Sequence, residues 1–145
     1  GGTKNGMMYG EAVCFLKPGI SDDFRYIRKQ GMQLASKMRY IAAQYTAYFK
    51  GDLWRRLASH SNSMALLLAE RIKNIERIHI TQPVQSNGVF VIMPKDVAEM
   101  VSKEYFFYPW NVQTSEYRLM TSWDTTEEDI DNFAVILKKY ISGSP

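Results

Sequence analysis

A chain of 145 residues with 46% hydrophobic and 23% charged side chains can build one globular domain with a real core, and this composition excludes an intrinsically disordered protein. The formal net charge of +3 is too small to require a nucleic-acid partner. No apolar run approaches the roughly 18 residues that a membrane-spanning helix needs, and the first residues lack the order of a signal peptide. We therefore expect a cytoplasmic protein with neither a membrane nor a nucleic acid as its partner.

The first predicted element is a strand. The segment from Gly10 to Leu16 ends in the apolar run AVCFL, whose residues favour a β-strand, and Lys17-Pro18-Gly19 follows it. This pattern predicts a buried strand followed by a turn. Cys14, the single cysteine, lies within this run, so we expect a small core residue and no internal disulfide. His60 and His79 are the only histidines beside this lone cysteine, and no spacing among the three suggests a structural zinc site, so we expect no metal.

Three helices are predicted next. Ser21-Asp22-Asp23 can cap a short helix from Phe24 to about Lys29, and apolar residues at helical spacing predict a second helix from Ser36 to Phe49. Asp52 can cap a third, longer helix that follows Gly51. The expected core stripe of this helix, three or four residues apart, comprises Leu53, Leu57, Ser61, Met64, Leu68 and Ile72.

Strands are predicted in the second half of the chain. Ile78 and Ile80 alternate with polar residues, which favours a half-buried edge strand closed by Pro83. The continuous apolar run from Val89 to Met93 predicts a buried strand, and the segment from Tyr117 to Trp123 predicts another. These strands favour a small, mostly antiparallel sheet.

Helices separate and follow these strands. A helix is predicted from about Asp96 to Lys103 with Val97, Met100 and Val101 as its apolar face, and an aromatic-rich run broken by Pro109 follows it. The letters TTEE at residues 125–128 predict a capping box for the last helix. Its expected buried face is Ile130, Phe133, Ala134, Leu137 and Ile141. The predicted fold class is therefore α+β, with helices covering one face of the sheet.

Charge is distributed unevenly along the chain. From Phe24 to Arg56 there are eight Lys or Arg residues and one acid, Asp52, whereas Asp124 to Asp131 holds five acids and no base. Acids at a helix start are favoured by the helix dipole, and a basic stretch is often a solvated helix face. The basic stretch also fits an anion site. With its interleaved Tyr and Phe, it leaves open a non-enzymatic module that holds RNA or an acidic partner.

Lys4 and Arg118 suggest catalysis when they are taken together. Lys4 lies among glycines beside the turn signal Asn5-Gly6, so it either decorates a turn or serves as a covalent nucleophile. Arg118, inside a predicted strand, either reaches solvent or binds an anion, and a guanidinium can hold a carboxylate by two parallel hydrogen bonds. Pyridoxal-phosphate enzymes that act on amino acids use both groups: a Schiff-base lysine and an arginine that grips the substrate carboxylate.

Four segments carry a resemblance to a known family. GGTKNG with the EAV that follows resembles the pyridoxal lysine segment of the threonine aldolase and β-eliminating lyase family. RKQGMQLASKMRYIAAQ resembles the downstream helix segment of the branch that contains phenylserine-type aldolases. SNGVFV and YRLMTSWDTTEEDID resemble the carboxy-terminal strand and the arginine strand of the family. The matches run in order across nearly all of the chain.

The resemblance implies the carboxy-terminal, small-domain lobe of a fold type I (aspartate-aminotransferase-like) enzyme that uses pyridoxal 5'-phosphate. It implies that Lys4 is the catalytic Schiff-base lysine, that Arg118 binds the substrate α-carboxylate and that Asn87 lines the substrate end of the pocket. The remaining cofactor-binding residues that it implies, facing the cofactor or a neighbouring subunit's site, are Thr3, Arg28, Lys29 and Lys37.

The resemblance also implies an activity and a domain division. The full-length enzyme is expected to be a lyase, a homodimer or homotetramer that cleaves a β-hydroxy-α-amino acid to glycine and an aldehyde. A related lyase or an aminotransferase is the alternative. Residues 1–20 would finish the large cofactor domain, 21–50 would form connecting helices, and 51–145 would form the small domain. Because the catalytic base and phosphate loop would lie upstream, this segment alone is expected to be inactive, with some of its apolar surface unpartnered.

Many threonine aldolases have a histidine near the position where this chain has Thr121-Ser122-Trp123. The departure leaves the exact substrate open.

Overall fold

A computed structural model describes residues 1–143 of the chain, so the last two residues of the predicted small domain lie outside the described residues. The chain divides into two compact units, Gly1–Arg55 and the residues from Arg56 onward, which we call unit 1 and unit 2. The helices are α1 (Phe24–Gln30), α2 (Met38–Phe49), α3 (Leu53–Ile72), α4 (Lys95–Val101) and α5 (Glu127–Ser142). The strands are β1 (His79–Ile80), β2 (Gly88–Ile92), β3 (Tyr108–Asn111) and β4 (Glu116–Met120). No helix within residues 1–143 is both long enough and apolar enough to cross a bilayer.

Unit 1 lacks the strand predicted for Gly10 to Leu16. Residues 11–16 form no strand and are exposed, and Cys14 is an exposed thiol rather than a core residue. Both predictions were wrong for one reason. An apolar run becomes a buried strand only where a neighbouring strand and a covering layer exist, and the described part of unit 1 contains no strand at all.

The predicted helices of unit 1 are confirmed, but their predicted caps are not. Asp23 occupies the position before α1, yet its side chain makes no capping hydrogen bond. Asp52 lies in a short 3₁₀ turn with a φ of 58° and pairs instead with Arg55, whose Nη2 is 2.7 Å from the carboxylate. At the start of α3, the Asp52 carboxylate therefore forms an ion pair with Arg55, three residues along the chain, instead of the predicted helix cap.

The sheet of unit 2 has the strand order β1-β2-β4-β3, and every neighbouring pair is antiparallel. This confirms the edge strand at Ile80, the central strand β2 and the strand that contains Arg118. Strand β3 was not predicted from the sequence, because Pro109 cannot donate a ladder hydrogen bond. The strand tolerates Pro109 because it lies at the sheet edge.

Helices cover one face of the sheet, as predicted, and the core of unit 2 lies between them. Val89, Val91 and Leu119 point from the sheet into a cluster with α3, α4 and α5. The predicted face of α5 is buried at all five positions: Ile130, Phe133, Ala134, Leu137 and Ile141. In the stripe of α3, Ser61, Met64, Leu68 and Ile72 are buried, whereas Leu53 and Leu57 are half-buried.

Two details of the predicted helices were wrong. Met100 was expected on the apolar face of α4, but its side chain is 38% exposed while Val97 and Val101 are buried. The capping box of α5 is formed by Thr126 and Asp129, not by the pair one residue earlier. A carboxylate on the shorter Asp side chain reaches the Thr126 backbone N–H at 2.8 Å, so the helix begins one residue later than the TTEE pattern indicates.

Candidate functional site

Lys4 lies in a 3₁₀ turn, Gly2–Asn5, that ends at Gly6 with a φ of 91°. The Lys4 side chain is exposed in this chain. The turn is tied at its base because Gly2 N–H donates to the Gly10 carbonyl at 2.9 Å. A Cβ on Gly2 would lie 2.2 Å from the sulfur of the buried Met7 side chain, so a larger residue at this position would force Met7 to move. The fold therefore presents the lysine amine on a closed and compact loop.

Asn5 anchors this loop to the helices of unit 1. Its amide Nδ2 donates to the Tyr48 hydroxyl on α2 and to the Trp54 carbonyl at 2.9 Å. Gln44, also on α2, accepts a hydrogen bond from the Tyr9 backbone N–H at 3.0 Å. In the sequence, Asn5 was recognisable only as a turn former, and these contacts were not predicted. The helical spacing of Gln44 and Tyr48, four residues apart on one face, was the available signal.

The other cofactor-binding residues predicted for unit 1 lie on different segments. Thr3 is exposed, and its hydroxyl donates to a Glu11 carboxylate oxygen at 3.1 Å. Arg28 and Lys29 lie on α1, and Lys37 occupies the position before α2. Thr3 and Lys4 therefore share a turn, and Arg28 and Lys29 share a helix.

Arg28 fits an anionic group better than an ordinary surface arginine does. Its Nε is buried and has no hydrogen-bond partner among residues 1–143, and neither Arg28 nor Lys29 nor Lys37 forms an ion pair there. A buried, unpaired guanidinium nitrogen costs free energy unless an acceptor approaches it. These residues are consistent with a phosphate-bearing ligand.

Tyr45 is a second polar side chain in unit 1 that the sequence analysis missed. Its hydroxyl is buried without a hydrogen-bond partner among the described residues, and burial raises the pKa of Tyr45. Its ring lies close to Gly10, where an added Cβ would be 3.0 Å from Tyr45 Cε2. The sequence pattern predicted only that this residue belongs to a helix, and the hydroxyl on the ring was the feature that could have marked it as a polar group.

Arg118 lies on the sheet face opposite the helices. It pairs directly with Phe90 of β2 and with Tyr108 of β3, and directly opposed residues of an antiparallel sheet point to the same face. The side chain is half-buried, and its Nε is buried without a partner. No ion pair holds Arg118 among the described residues. The guanidinium therefore has the character of an anion ligand whose partner is not supplied by residues 1–143.

Asn87 lies just before β2, at the end of the sheet where β4 finishes. Its Nδ2 donates to the Thr121 carbonyl at 2.8 Å, and Thr121 N–H donates back to the Asn87 carbonyl at 2.9 Å. The Thr121 hydroxyl also donates to the Ser61 carbonyl at 2.7 Å. This network ties the start of β2 to the end of β4 and to α3, and it places Asn87 beside the strand that carries Arg118.

Some residues of the acidic run and one histidine make contacts within unit 2. His60 Nε2 lies 2.7 Å from the Thr125 carbonyl oxygen, and His79 is exposed on the edge strand β1. Among the acids, Asp129 caps α5 and Asp131 pairs with Arg71, whose Nε is 2.6 Å away. The cap formed by Asp129 agrees with the interpretation of the acidic run as a helix start.

Comparison with known proteins points to one family. No protein-family model matches the chain. A low specificity L-threonine aldolase of Pseudomonas aeruginosa is 39% identical over 135 residues, which are 92% of this chain and 39% of that protein. A low specificity L-threonine aldolase of a Pseudomonas species is 37% identical over 143 residues, 98% of this chain and 41% of that protein. The chain thus spans about two fifths of the length of the curated relatives that it matches.

A solved structure agrees with the sequence relatives. A threonine aldolase of Leishmania major superimposes with a TM-score of 0.72 at 29% identity, over 87% of this chain and 36% of that one. The resemblance inferred from the four sequence segments is therefore confirmed. So is the predicted fold class, the α+β lobe of a fold type I enzyme.

Proposed function

We propose that this chain, a relative of the threonine aldolases in sequence and fold, is the carboxy-terminal part of an aldolase that cleaves β-hydroxy-α-amino acids to glycine and an aldehyde. The similarity to two threonine aldolases over more than nine tenths of the chain supports the proposal. We further propose that the full-length enzyme is a cytoplasmic homodimer or homotetramer, with a small-molecule substrate and without a nucleic-acid or membrane partner. The domain division at residues 20 and 50 remains part of this proposal.

Pyridoxal 5'-phosphate is the proposed cofactor, and when bound it supplies a sink for the electrons of the broken Cα–Cβ bond. Lys4 would hold the cofactor through its amine, on a turn that Asn5 anchors. Thr3, Arg28, Lys29 and Lys37 would contact the cofactor or a neighbouring subunit's site. Arg28 contributes most to this part of the proposal, because its buried Nε has no acceptor among the described residues.

The substrate assignment rests on one observation, that Arg118 is half-buried and its Nε has no partner among the described residues. A half-buried strand arginine without an anionic partner among residues 1–143 is suited to a carboxylate, which accepts two parallel hydrogen bonds from a guanidinium. Held in this way, an amino acid cannot rotate freely about its N–Cα bond, so the bond to be broken keeps its orientation. Asn87, in the segment just before the neighbouring strand β2, would line the substrate end of the pocket.

The testing experiment replaces Arg118 by lysine in the full-length enzyme. Arg118→Lys keeps the charge but loses the planar two-point geometry, so kcat/KM for threonine should fall roughly ten- to a hundredfold, about 1.5–3 kcal/mol. The visible absorbance of the bound cofactor should be unchanged, because cofactor loading does not use the carboxylate site. Arg77→Lys is the matched control, since Arg77 is exposed and outside the proposed site. Normal kinetics for Arg118→Lys with normal cofactor absorbance would refute the substrate assignment.

A second experiment separates this chain from the full-length enzyme. Residues 1–145 with added pyridoxal phosphate should not cleave threonine above the rate of the free cofactor, because the groups that orient the cofactor and take the β-hydroxyl proton would lie upstream. Glycine release well above that rate would contradict this expectation. In the full-length enzyme, related elimination or transamination chemistry would give a keto acid instead of glycine, which a separate keto-acid assay would detect.

The basic stretch from Phe24 to Arg56 supports the alternative, non-enzymatic function. Asp52, its single acid, is paired with Arg55, so the positive charges of Arg28, Lys29 and Lys37 are not neutralised by ion pairs within the described residues. An RNA-binding module would bind a single-stranded oligonucleotide with an affinity that falls steeply with salt. Salt-insensitive or undetectable binding would exclude that function and leave the aldolase proposal intact.

A further inference from the structure

Two aromatic rings of β3 lie against the guanidinium of Arg118. Arg118 Cζ is 5.5 Å from the centroid of the Tyr108 ring and 5.1 Å from that of Trp110. On the other side of β4, Phe90 pairs directly with Arg118, and its ring meets Trp110 edge to face at a centroid distance of 5.1 Å. Tyr108 and Trp110 therefore lie against the guanidinium, and Phe90 packs against Trp110, so the three rings form an aromatic cluster beside Arg118.

A register shift helps to bring Trp110 to the guanidinium. Pro109 pairs with Tyr117 and Asn111 pairs with Glu116, so Trp110 is the extra residue between two consecutive pairs. Such an irregularity bends a strand and redirects a side chain, and it is common beside functional sites. Tyr108 and Trp110 remain 52% and 55% exposed, so hydrophobic burial alone does not explain their position against Arg118.

We propose that Trp110 and Tyr108 are positioning residues that hold the guanidinium of Arg118 in the orientation needed for the substrate carboxylate. The inference rests on the proposed function of Arg118. Aromatic rings attract a guanidinium through their π faces and leave the N–H groups at its edge available. An acidic partner would also fix the arginine, but it would occupy these N–H groups and neutralise the charge.

Positioning by rings accounts for two observations on Arg118. The side chain lies against two rings although it has no ion pair among residues 1–143, and its Nε has no hydrogen-bond acceptor there. A free arginine samples many rotamers and loses that freedom when it binds a ligand. Rings that restrict the guanidinium beforehand reduce this loss, so a carboxylate binds more tightly.

The test removes each ring from the full-length enzyme. Trp110→Leu should lower kcat/KM for threonine about three- to tenfold through a higher KM, because a weak cation–π attraction of this kind is lost. Trp110→Phe keeps a ring and should restore most of the loss, whereas a purely steric or structural role would not distinguish Leu from Phe in this way. Tyr108→Leu should act in the same direction. Thermal midpoints within about 2 °C of the parent would confirm that all variants fold.

Tyr40→Leu is the matched control. The Tyr40 ring lies 5.2 Å from Arg39 Cζ and is 62% exposed, but Arg39 has no proposed role, so kinetics should not change. A double variant shows whether the rings act through Arg118: in an Arg118→Lys background, Trp110→Leu should change kcat/KM less than twofold.

The outcomes separate the inference from the proposed function. If Arg118→Lys alone leaves the kinetics normal, the substrate assignment fails and the positioning inference fails with it. If Arg118→Lys lowers kcat/KM but both ring variants behave as the parent does, only the positioning inference is overturned. Full additivity of Trp110→Leu with Arg118→Lys would also overturn it, because the ring would then act independently of the guanidinium.

Discussion

The two units of the chain bury their apolar side chains to very different extents. In unit 2, Ile72, Val89 and Leu137 have no exposed surface at all. In unit 1, Met7 is the only large apolar side chain that is buried among the described residues. Large apolar residues that are more than half exposed there are Met8, Tyr9, Val13, Leu16, Ile20, Tyr26, Ile27, Met32, Tyr40 and Phe49.

The difference shows what holds each unit together. Unit 2 is stabilised by a core between one sheet face and three helices, so its geometry follows from its own hydrophobic pattern. Unit 1 is held at a few points by polar contacts, such as those from Asn5 to α2 and to the Trp54 carbonyl. Substitutions in unit 1 should therefore change chemistry more than stability, and core substitutions in unit 2 should do the reverse.

The largest expected effect is that of Lys4→Ala in the full-length enzyme. Turnover should fall on the order of a thousandfold or more, and the visible absorbance of the covalently held cofactor should disappear, because alanine has no amine. The free energy of unfolding should be nearly unchanged, since the Lys4 side chain is exposed. Lys17→Ala, in an exposed turn, is the control for losing a lysine from unit 1. If the Lys4→Ala variant has normal absorbance and turnover, Lys4 does not hold the cofactor and is only a residue of the turn.

Leu137→Ala should produce the largest loss of stability. Leu137 is completely buried, so truncation should lower the free energy of unfolding by about 2–5 kcal/mol through lost burial and a residual cavity. The matched change in unit 1 is Leu16→Ala, at a side chain that is 93% exposed. This substitution should lower the free energy of unfolding by less than about 0.5 kcal/mol. Urea unfolding measures both. Equal losses at the two positions would remove the contrast between the units.

Thr126→Ala should have a smaller effect within unit 2. The Thr126 hydroxyl accepts a hydrogen bond from Asp129 N–H at 3.1 Å, and losing this helix cap should cost about 1 kcal/mol. Thr114→Ala, in an exposed loop, is the control, and it should lower the free energy of unfolding much less. If the two variants unfold at the same urea concentration, the cap contributes nothing measurable.

The smallest effect concerns the pH dependence of the same cap. Hydrogen bonds from the Thr126 hydroxyl and backbone N–H hold the pKa of Asp129 below its usual 3.8. A lowered folded-state pKa adds stability above pH 3.8, and this stability is lost as the pH falls through the folded-state value. The parent should therefore exceed Asp129→Asn in stability at pH 7 by more than at pH 2. In a Thr126→Ala background, the stability difference between the proteins with and without Asp129→Asn should depend less on pH. An unchanged pH dependence would show that the Thr126 hydroxyl does not lower the pKa of Asp129.

Much of the fold could be predicted because local patterns are strong in unit 2. The period of α5 identified all five of its buried positions, from Ile130 to Ile141, and alternation identified the edge strand at Ile80. The strand predicted around Cys14 was wrong because the same apolar letters need a pairing partner. Strand β3 was missed because an edge position, which only the sheet order reveals, makes Pro109 acceptable.

The candidate site was predictable in part as well. Lys4 and Arg118 could be selected by the chemistry of their side chains and by the resemblance of their segments to a family. Their roles remain predictions. The ring cluster at Arg118 was not predicted, although Tyr108 and Trp110 alternate along one segment, because it depends on pairing between β3 and β4 and on a register shift.

By itself, the sequence determined the helices, their buried faces in unit 2, the α+β class and the family resemblance, because each of these depends on periodicity or on short, contiguous motifs. Which side chains lack partners became visible only with the packed fold. The sequence singled out Arg28 and Arg118, but it did not show that the Nε atom of each is buried without an acceptor, and it made Cys14 look like a core cysteine although the thiol is exposed. Burial and hydrogen bonding are properties of contacts between residues far apart in the chain, so a local pattern cannot specify them.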